Sequence, residues 1–547
     1  MSSVGFLALQ AAMSVADRAV TSPLFSWTLS GDSDESYAPR LVEFRPADGQ
    51  TVIEMMDGKY LLGGTLVDTG GVSPFALRDV PPAFFAELHS FGWLRHFSGL
   101  RDAGQRRFAA TLVSDWIGRH GSFSRTVWAP ALTARRVLNW LKNIALLTGE
   151  ATPEQQRTIR RVLASQIQSL NLRQSLIAEP SEKLLAVTAL AGAALCGDEA
   201  ERTLLARFDA LERLLDAQID DQGLHLSRNP HTQLQLLSEL IPLRPGLARR
   251  DADRAAALSR RIETMQRALD RLILTTSEPG YFNGCGQLPV DLVLAVTGQS
   301  NIRTATSSVA SGYGVLVDGH GKVIADSGLV PPAAHAGKAH AGGLSFEFSC
   351  GNTLVAGNCG PAPGQLPESS VLFRHTAAHS APTVDDISNA HLGGPKPLAT
   401  RLRRRGGLPS ITLDAQENTL ELTSLAYAGR YGLLLTRRLT LMGGGHTLVG
   451  QDRLAQSGRQ ARPGDLVIRF HLAPGATADR TEGEDLIRIT YRSGEAWTFL
   501  WEGAHAEIEE SVRNSRHFGL SRTEQIVLNA PALPETEIAW VFTRQSA

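Results

Sequence analysis

Apolar side chains return every three or four positions from about residue 82 to residue 275. Phe108, Leu112 and Trp116 share one face, as do Val137, Leu138, Leu141 and Ile144. The same spacing joins Val162, Leu163, Ile167 and Leu170, then Leu204, Leu205, Phe208, Leu211 and Leu215, and finally Leu258, Ile262, Met265, Leu269 and Ile273. This is the period of amphipathic helices. Gly118, Gly121, Gly149, Pro180, Gly197, Gly223, Pro242 and Pro245 punctuate the runs, so the helices are short and closely connected. Such an array folds as stacked helical hairpins, either a closed (α/α) toroid or an open bundle.

The pattern changes near residue 305. Short runs rich in Val, Ile, Leu, Phe and Thr follow one another between Gly and Asn turns. They predict strands over Tyr313–Asp318, Lys322–Asp326, Leu344–Ser349, Thr353–Asn358, Thr419–Leu425, Gly432–Met442, Asp465–Leu472, Leu486–Tyr491 and Trp497–Trp501. Asp318-Gly319-His320-Gly321 reads as a hairpin turn. Many strands with no helix between them imply two packed sheets. The expected division is a mixed, strand-bearing cap over 1–80, a helical domain over 81–297, a boundary at Thr297–Thr304, and a β-sandwich over 305–547.

The 547 residues carry a formal net charge of −1, so no global basic field exists to hold nucleic acid. An acidic ligand needs a local cluster of cations, for which Arg401, Arg403, Arg404 and Arg405 are one candidate and a solvated edge the plainer reading. Cys196, Cys285, Cys350 and Cys359 form no CxxC pair. They are expected as free thiols, with a Cys350–Cys359 bridge left open. Val4–Val20 is apolar but interrupted by Asp17 and Arg18 and preceded by no cation, so it lacks the form of a secretory leader. No stretch reaches the length of a membrane span. The expected compartment is cytoplasmic by default, with periplasmic open.

The densest chemistry lies between residues 332 and 380. His335, Lys338, His340 and Glu347 are followed by Asn358, then by Arg374, His375 and His379. Histidines in loops at strand ends are either hydrogen-bonded structural groups or functional ones presented by the scaffold. His340 and His379 have the residue types of a metal pair.

This block resembles the heparinase II/III family. Lys338–Phe348 is similar to its HxHAD-x-LSFE signature, Gly351–Gly360 to its hairpin ending in DPG, and Arg374–Ser380 to its RxTxxH[NS] segment. Trp116–His120, Trp128–Trp140, Asp221–Pro230 and Arg469–Leu472 resemble other stretches, so the likeness runs over about residues 85–475. It implies an N-terminal (α/α) toroid of helical hairpins, a large antiparallel β-sandwich, and β-elimination on uronate-containing, acidic polysaccharides. That reaction needs the uronate carboxylate neutralised, a base for the proton on C5, and an acid for the oxygen leaving C4.

On this resemblance Asn229, Tyr281, Lys338 and His340 are the catalytic candidates, lining one cleft between the domains. His225, Arg228, His231, His335 and Arg374 are the substrate-binding candidates. Asn229 also has a plain structural use as the cap of a helix that opens at Pro230. The departures from the family are Lys338 for a His, Gly342 for the Asp of HAD, and Asn358 for an Asp. They leave His340, Asn358 and His379 as a degenerate metal trio, with Asn358 expected between the two rings and zinc absent or weakly held. A catalytically silent glycan-binding or envelope-polysaccharide assembly protein is therefore the alternative. A glycoside hydrolase is a third reading, but Asp220, Asp221 and Glu347 make no clear carboxylate pair.

Overall fold

The structure is a computed structural model that describes residues 3–30, 36–149, 151–197, 199–299, 306–363, 368–393, 401–480, 485–515 and 519–545. Most of the expected boundary, residues 300–304, lies outside the described residues. The chain forms two compact units. One comprises residues 5–219 and 235–263; the other comprises 1–4, 220–234 and 264–547.

The first unit is built from helices that include Ala103–His120, Pro130–Lys142, Pro153–Arg173, Pro180–Cys196 and Glu201–Gln218. Their starts are written locally. The Asp102 side chain accepts from Gln105 N, and Thr152 and Gln155 form a capping box ahead of Pro153. Pro180–Cys196 is buried on all sides from Leu184 onward and packs against Pro130–Lys142 and Glu201–Gln218. Arg136 is fully buried yet satisfied, donating to Gln166 Oε1, His89 O and Val127 O, with its guanidinium 4.5 Å from the Trp116 ring centre. Residues 1–80 contribute the helices Ser3–Val20 and Gly49–Met56 and a hairpin, Lys59–Leu62 with Thr65–Asp68.

The second unit holds two antiparallel sheets. The order in one is Ser410–Asp414, Thr419–Ser424, Leu433–Met442, Thr447–Gln456, Glu537–Arg544, Ala496–Glu502, Leu486–Thr490 and Thr477–Arg480. The order in the other is His505–Ser515, Gly519–Pro531, Asp465–Leu472, Thr353–Gly357, Phe346–Cys350, Gly321–Asp326, Tyr313–Asp318 and Ser308–Ala310. Phe346, Phe348 and Phe470 of the second sheet meet Trp497, Phe499, Trp540 and Phe542 of the first, with Phe346 and Trp540 stacked at 5.5 Å. This shared core makes the pair a sandwich. In Leu433–Met442, alternate residues point inward, and Arg437 falls among them. It forms a fully buried pair with Asp452, Nε to Oδ1 at 2.7 Å, and also donates to Leu344 O and Ser380 O. Gly319 (φ 50°) closes the expected hairpin.

One expectation, the extent of the helical domain, changes. Residues 219–229 and 272–289 are not helical, although both fall within the helical domain expected over 81–297. They lie instead in the β-rich unit, where Leu224, Ala268, Leu272, Leu274 and Phe282 cover Tyr313, Val315 and Ile324 on the outer face of the second sheet. The compact units therefore do not divide at the boundaries expected from periodicity. All four cysteines are free and buried, so no Cys350–Cys359 bridge forms. Among the described residues no helix is long and apolar enough to cross a membrane.

Candidate active site

Two irregular segments and one strand pair build a polar cluster on the outer face of the second sheet. In the first segment Gly223 turns the chain at φ +88°, where a side chain would strike Thr264 O. Arg228 is left-handed (φ 56°) and buried. Its guanidinium donates to Ser311 O, to Gly312 O and to Asp326 Oδ1 at 2.8 Å, and lies 4.2 Å from the Tyr313 ring centre. Every arm is occupied by the protein, so Arg228 anchors this segment to the sheet rather than facing a ligand.

Asn229 follows as the cap of helix Pro230–Leu240. Its Oδ1 accepts from His231 N at 2.8 Å, and its Nδ2 donates to Asn283 O at 3.0 Å. His231 is half-buried. His225 is buried, bonded through Nδ1 to the Ser227 hydroxyl, and meets His335 edge to face at 5.1 Å. Burial lowers both imidazoles, to about 3 for His225 and about 4 for His335. Both are neutral near pH 7.

The second segment carries Tyr281, Asn283 and Gly284. Gly284 (φ +85°) passes so close to Lys338 O that a Cβ would sit 2.5 Å from it, which only glycine permits. Tyr281 N donates to Glu347 Oε2 at 2.9 Å, and Asn358 N donates to Glu347 Oε1 at 2.8 Å. Glu347, on strand Phe346–Cys350, is itself paired with Arg513 at 3.1 Å, and Arg513 also donates to Asn358 O. The Arg513 guanidinium lies 4.2 Å from the Tyr281 ring centre. The Tyr281 hydroxyl is sealed from solvent and has no partner among the described residues. Burial pushes it above the ordinary tyrosine range, against the pull of Arg513.

His340 and His379 meet directly, Nδ1 to Nε2 at 3.2 Å. The other nitrogen of His379 lies 2.8 Å from His375 O, a carbonyl, so His379 Nδ1 carries the hydrogen. Burial lowers His379 to about 4 and holds His340 well below its ordinary value, helped by the neighbouring ring and Arg374. Neutral His379 thus accepts at Nε2, His340 donates from Nδ1, and the lone pair of His340 is left on Nε2. No described residue bonds that atom, and it is not among the sealed polar groups. Lys338, two residues earlier, is exposed. Arg374 is used inward, donating to Ala339 O from Nε and Nη2.

Asn358 does not stand between the rings, as expected, but to one side. Its Nδ2 donates to Tyr281 O and its Oδ1 accepts from Ser380 N at 3.0 Å. The zinc implied by the resemblance does not fit this donor set. The His379 lone pair is taken by His340, and the Asn358 oxygen is taken by a backbone amide. No group of three His, Cys, Asp or Glu suited to a metal occurs among the described residues.

Residues 303–541 match a family model described as Heparinase II/III-like, C-terminal. That stretch is similar to the C-terminal domain of this family. The chain's fold is shared with solved heparinase structures. One titled Heparinase III is 10% identical with a TM-score of 0.66, covering 88% of this chain and 79% of that one. The heparan sulfate lyase HepC of Pedobacter heparinus is 13% identical with a TM-score of 0.58, covering 99% of this chain and 88% of that one. A curated relative, FtsZ-localized protein C of Caulobacter vibrioides (strain NA1000 / CB15N), is 26% identical over 540 residues, 92% of this chain and 91% of its own.

Sequence reasoning missed two members of this polar cluster. Arg513 follows the charged run Glu507-Ile508-Glu509-Glu510, which reads as surface until Arg513 pairs with Glu347. Asp326 ends a strand whose preceding three residues, Val323, Ile324 and Ala325, are apolar. Its burial at 2% beside Arg228 and Asn283 is a tertiary fact with no local signal.

Proposed function

We propose that the protein acts on a uronate-containing glycan by β-elimination, with His340 Nε2 as base and Lys338 as the cation facing the uronate carboxylate. The supporting observation is the chain His375 O, His379, His340, which fixes a neutral imidazole with its lone pair on the outward nitrogen. In the reaction the C5–H bond breaks toward Nε2, a C4–C5 double bond forms, and the C4–O bond breaks. One imidazole serves both transfers when the proton and the leaving oxygen share a face of the sugar, since the imidazolium it becomes is an acid. An exposed ammonium two residues away stabilises the enolate-like carboxylate as charge develops. The test is ultraviolet absorbance of an unsaturated uronate product on heparan sulfate, chondroitin and alginate. Activity should vanish in His340→Gln, and in Lys338→Ala KM should rise. No absorbance with any uronate polymer would overturn the reading.

One observation favours a second reading, a catalytically silent glycan-binding protein. Asn229 spends its amide on a helix cap and on Asn283, and the Tyr281 hydroxyl is sealed. Neither faces a sugar in this arrangement. The 26% identical relative is named for localisation with FtsZ and not for a lyase activity. Calorimetric binding of a uronate oligosaccharide without absorbance would select it. The cytoplasmic assignment belongs to this proposal and is checked by cell fractionation.

A further inference from the structure

The arginine run beside the site is not a loose surface edge. Leu402 is buried and packs with Ala336, Ala339, Ala341 and Ala390 in a small core of its own. Leu402 N donates to Ala336 O, and Arg401 Nη1 donates to Ala333 O at 2.6 Å. These contacts fasten the run to the loop that bears Lys338 and His340. Arg403 and Arg404 pair as a strand with His391 and Ala390. Arg404 is exposed, and Arg403 and Arg405 are half-exposed.

None of Arg403, Arg404 and Arg405 has a carboxylate partner among the described residues. From Ile387 to Leu413 the sequence holds four arginines and no acidic residue. The acids that flank this stretch in the sequence are already engaged: Asp385 accepts from Tyr431, Asp386 pairs with Arg469, and Asp414 accepts from Gln416 N and Glu417 N. The positive potential is felt by its neighbours. After burial, the arginine charges are what lower His391, His335 and Arg374. Like charges held together without counter-charge are destabilising unless an anion joins them.

We propose that Arg403, Arg404 and Arg405, fixed to the Lys338 loop, form a binding strip for a polyanionic glycan whose charges extend beyond the sugar at His340. The strip builds on the proposed glycan site but is read by binding alone, so loss of turnover and loss of the strip are told apart. The experiment titrates the full chain with heparin, polygalacturonate, duplex DNA and neutral dextran at two salt concentrations, with wild type, Arg404→Gln and Arg403→Gln/Arg404→Gln/Arg405→Gln. Affinity for heparin should fall about fivefold per arginine removed, and wild-type binding should weaken with salt. Arg404→Gln keeps the proposal testable should the triple variant fail to fold, since Arg404 makes no side-chain bond in the structure. Unchanged affinity in a folded Arg404→Gln would overturn it. So would equal binding of dextran, or tighter binding of duplex DNA than of either acidic glycan.

Discussion

Replacing Glu347 by Gln tests the centre of the cluster. The carboxylate accepts three hydrogen bonds at once, from Tyr281 N, Asn358 N and Arg513, and the residue is fully buried. A carboxamide has one accepting atom. Whichever way it turns, its NH2 faces either a backbone N–H or the guanidinium, and Arg513 is left as a buried charge without a counter-charge. Breaking one side of such a pair costs roughly 3–5 kcal/mol, and an orphaned backbone donor roughly 1–3 more. Because these losses overlap, about 4 kcal/mol is expected from urea unfolding. Hydrogen exchange by mass spectrometry should show the loss of protection locally, in peptides containing Tyr281 and Asn358. Glu347→Leu/Arg513→Met removes both charges and should recover part of the loss, leaving the two amides unpaired. A Gln variant within 1 kcal/mol of wild type, or a double variant less stable than the single, would refute the reasoning.

Arg437→Met leaves Asp452 charged inside the sandwich and should cost roughly 3–5 kcal/mol in urea unfolding, with part returned in Arg437→Met/Asp452→Leu. Gly284→Ala combines a left-handed backbone with a collision at Lys338 O, so more than about 2 kcal/mol should be lost, measured as a fall in the urea midpoint. His379 is neutral when folded, with its value lowered to about 4, so the unfolded chain binds the extra proton. Stability from this group is present above about pH 6.5 and is lost toward pH 4, at up to roughly 1.4 kcal/mol per pH unit; a urea midpoint that stays flat from pH 7 to pH 5 would contradict it. Elemental analysis after dialysis should find less than one zinc per chain, and Asn358→Asp is the comparison that reveals whether a charged ligand restores a site.

Much of the architecture is written in local pattern. Asp465–Leu472 and Tyr313–Asp318 form over the spans that alternation and turn residues predict, because strand burial on a sandwich face repeats with the chain itself. The cap at Asn229 was legible for the same reason, as it needs only its neighbours. What stayed hidden depends on distant residues. Arg437 occupies an inward position in a regular strand, and nothing nearby in sequence announces Asp452. Leu224, Leu272 and Leu274 lie within the span expected to be helical, yet they cover a sheet, since Gly223, Pro279 and Gly280 break the helices around them. The His340 and His379 pairing was implied by the family resemblance, whereas the sideways place of Asn358 follows from Glu347 and Ser380.

The excursion of residues 235–263 into the helical unit, between two stretches of the β-rich one, bears on how the gene can be cut. A fragment expressed from residue 306 onward would begin close to where the family match begins, yet it would lack Leu224, Ala268, Leu272, Leu274 and Phe282. The bared face of Tyr313, Val315 and Ile324 would then sit at the surface of an open sheet, a template for self-association. The stretch that the family model matches is therefore not a transplantable module by itself, and a cut that keeps this face covered must fall before residue 220.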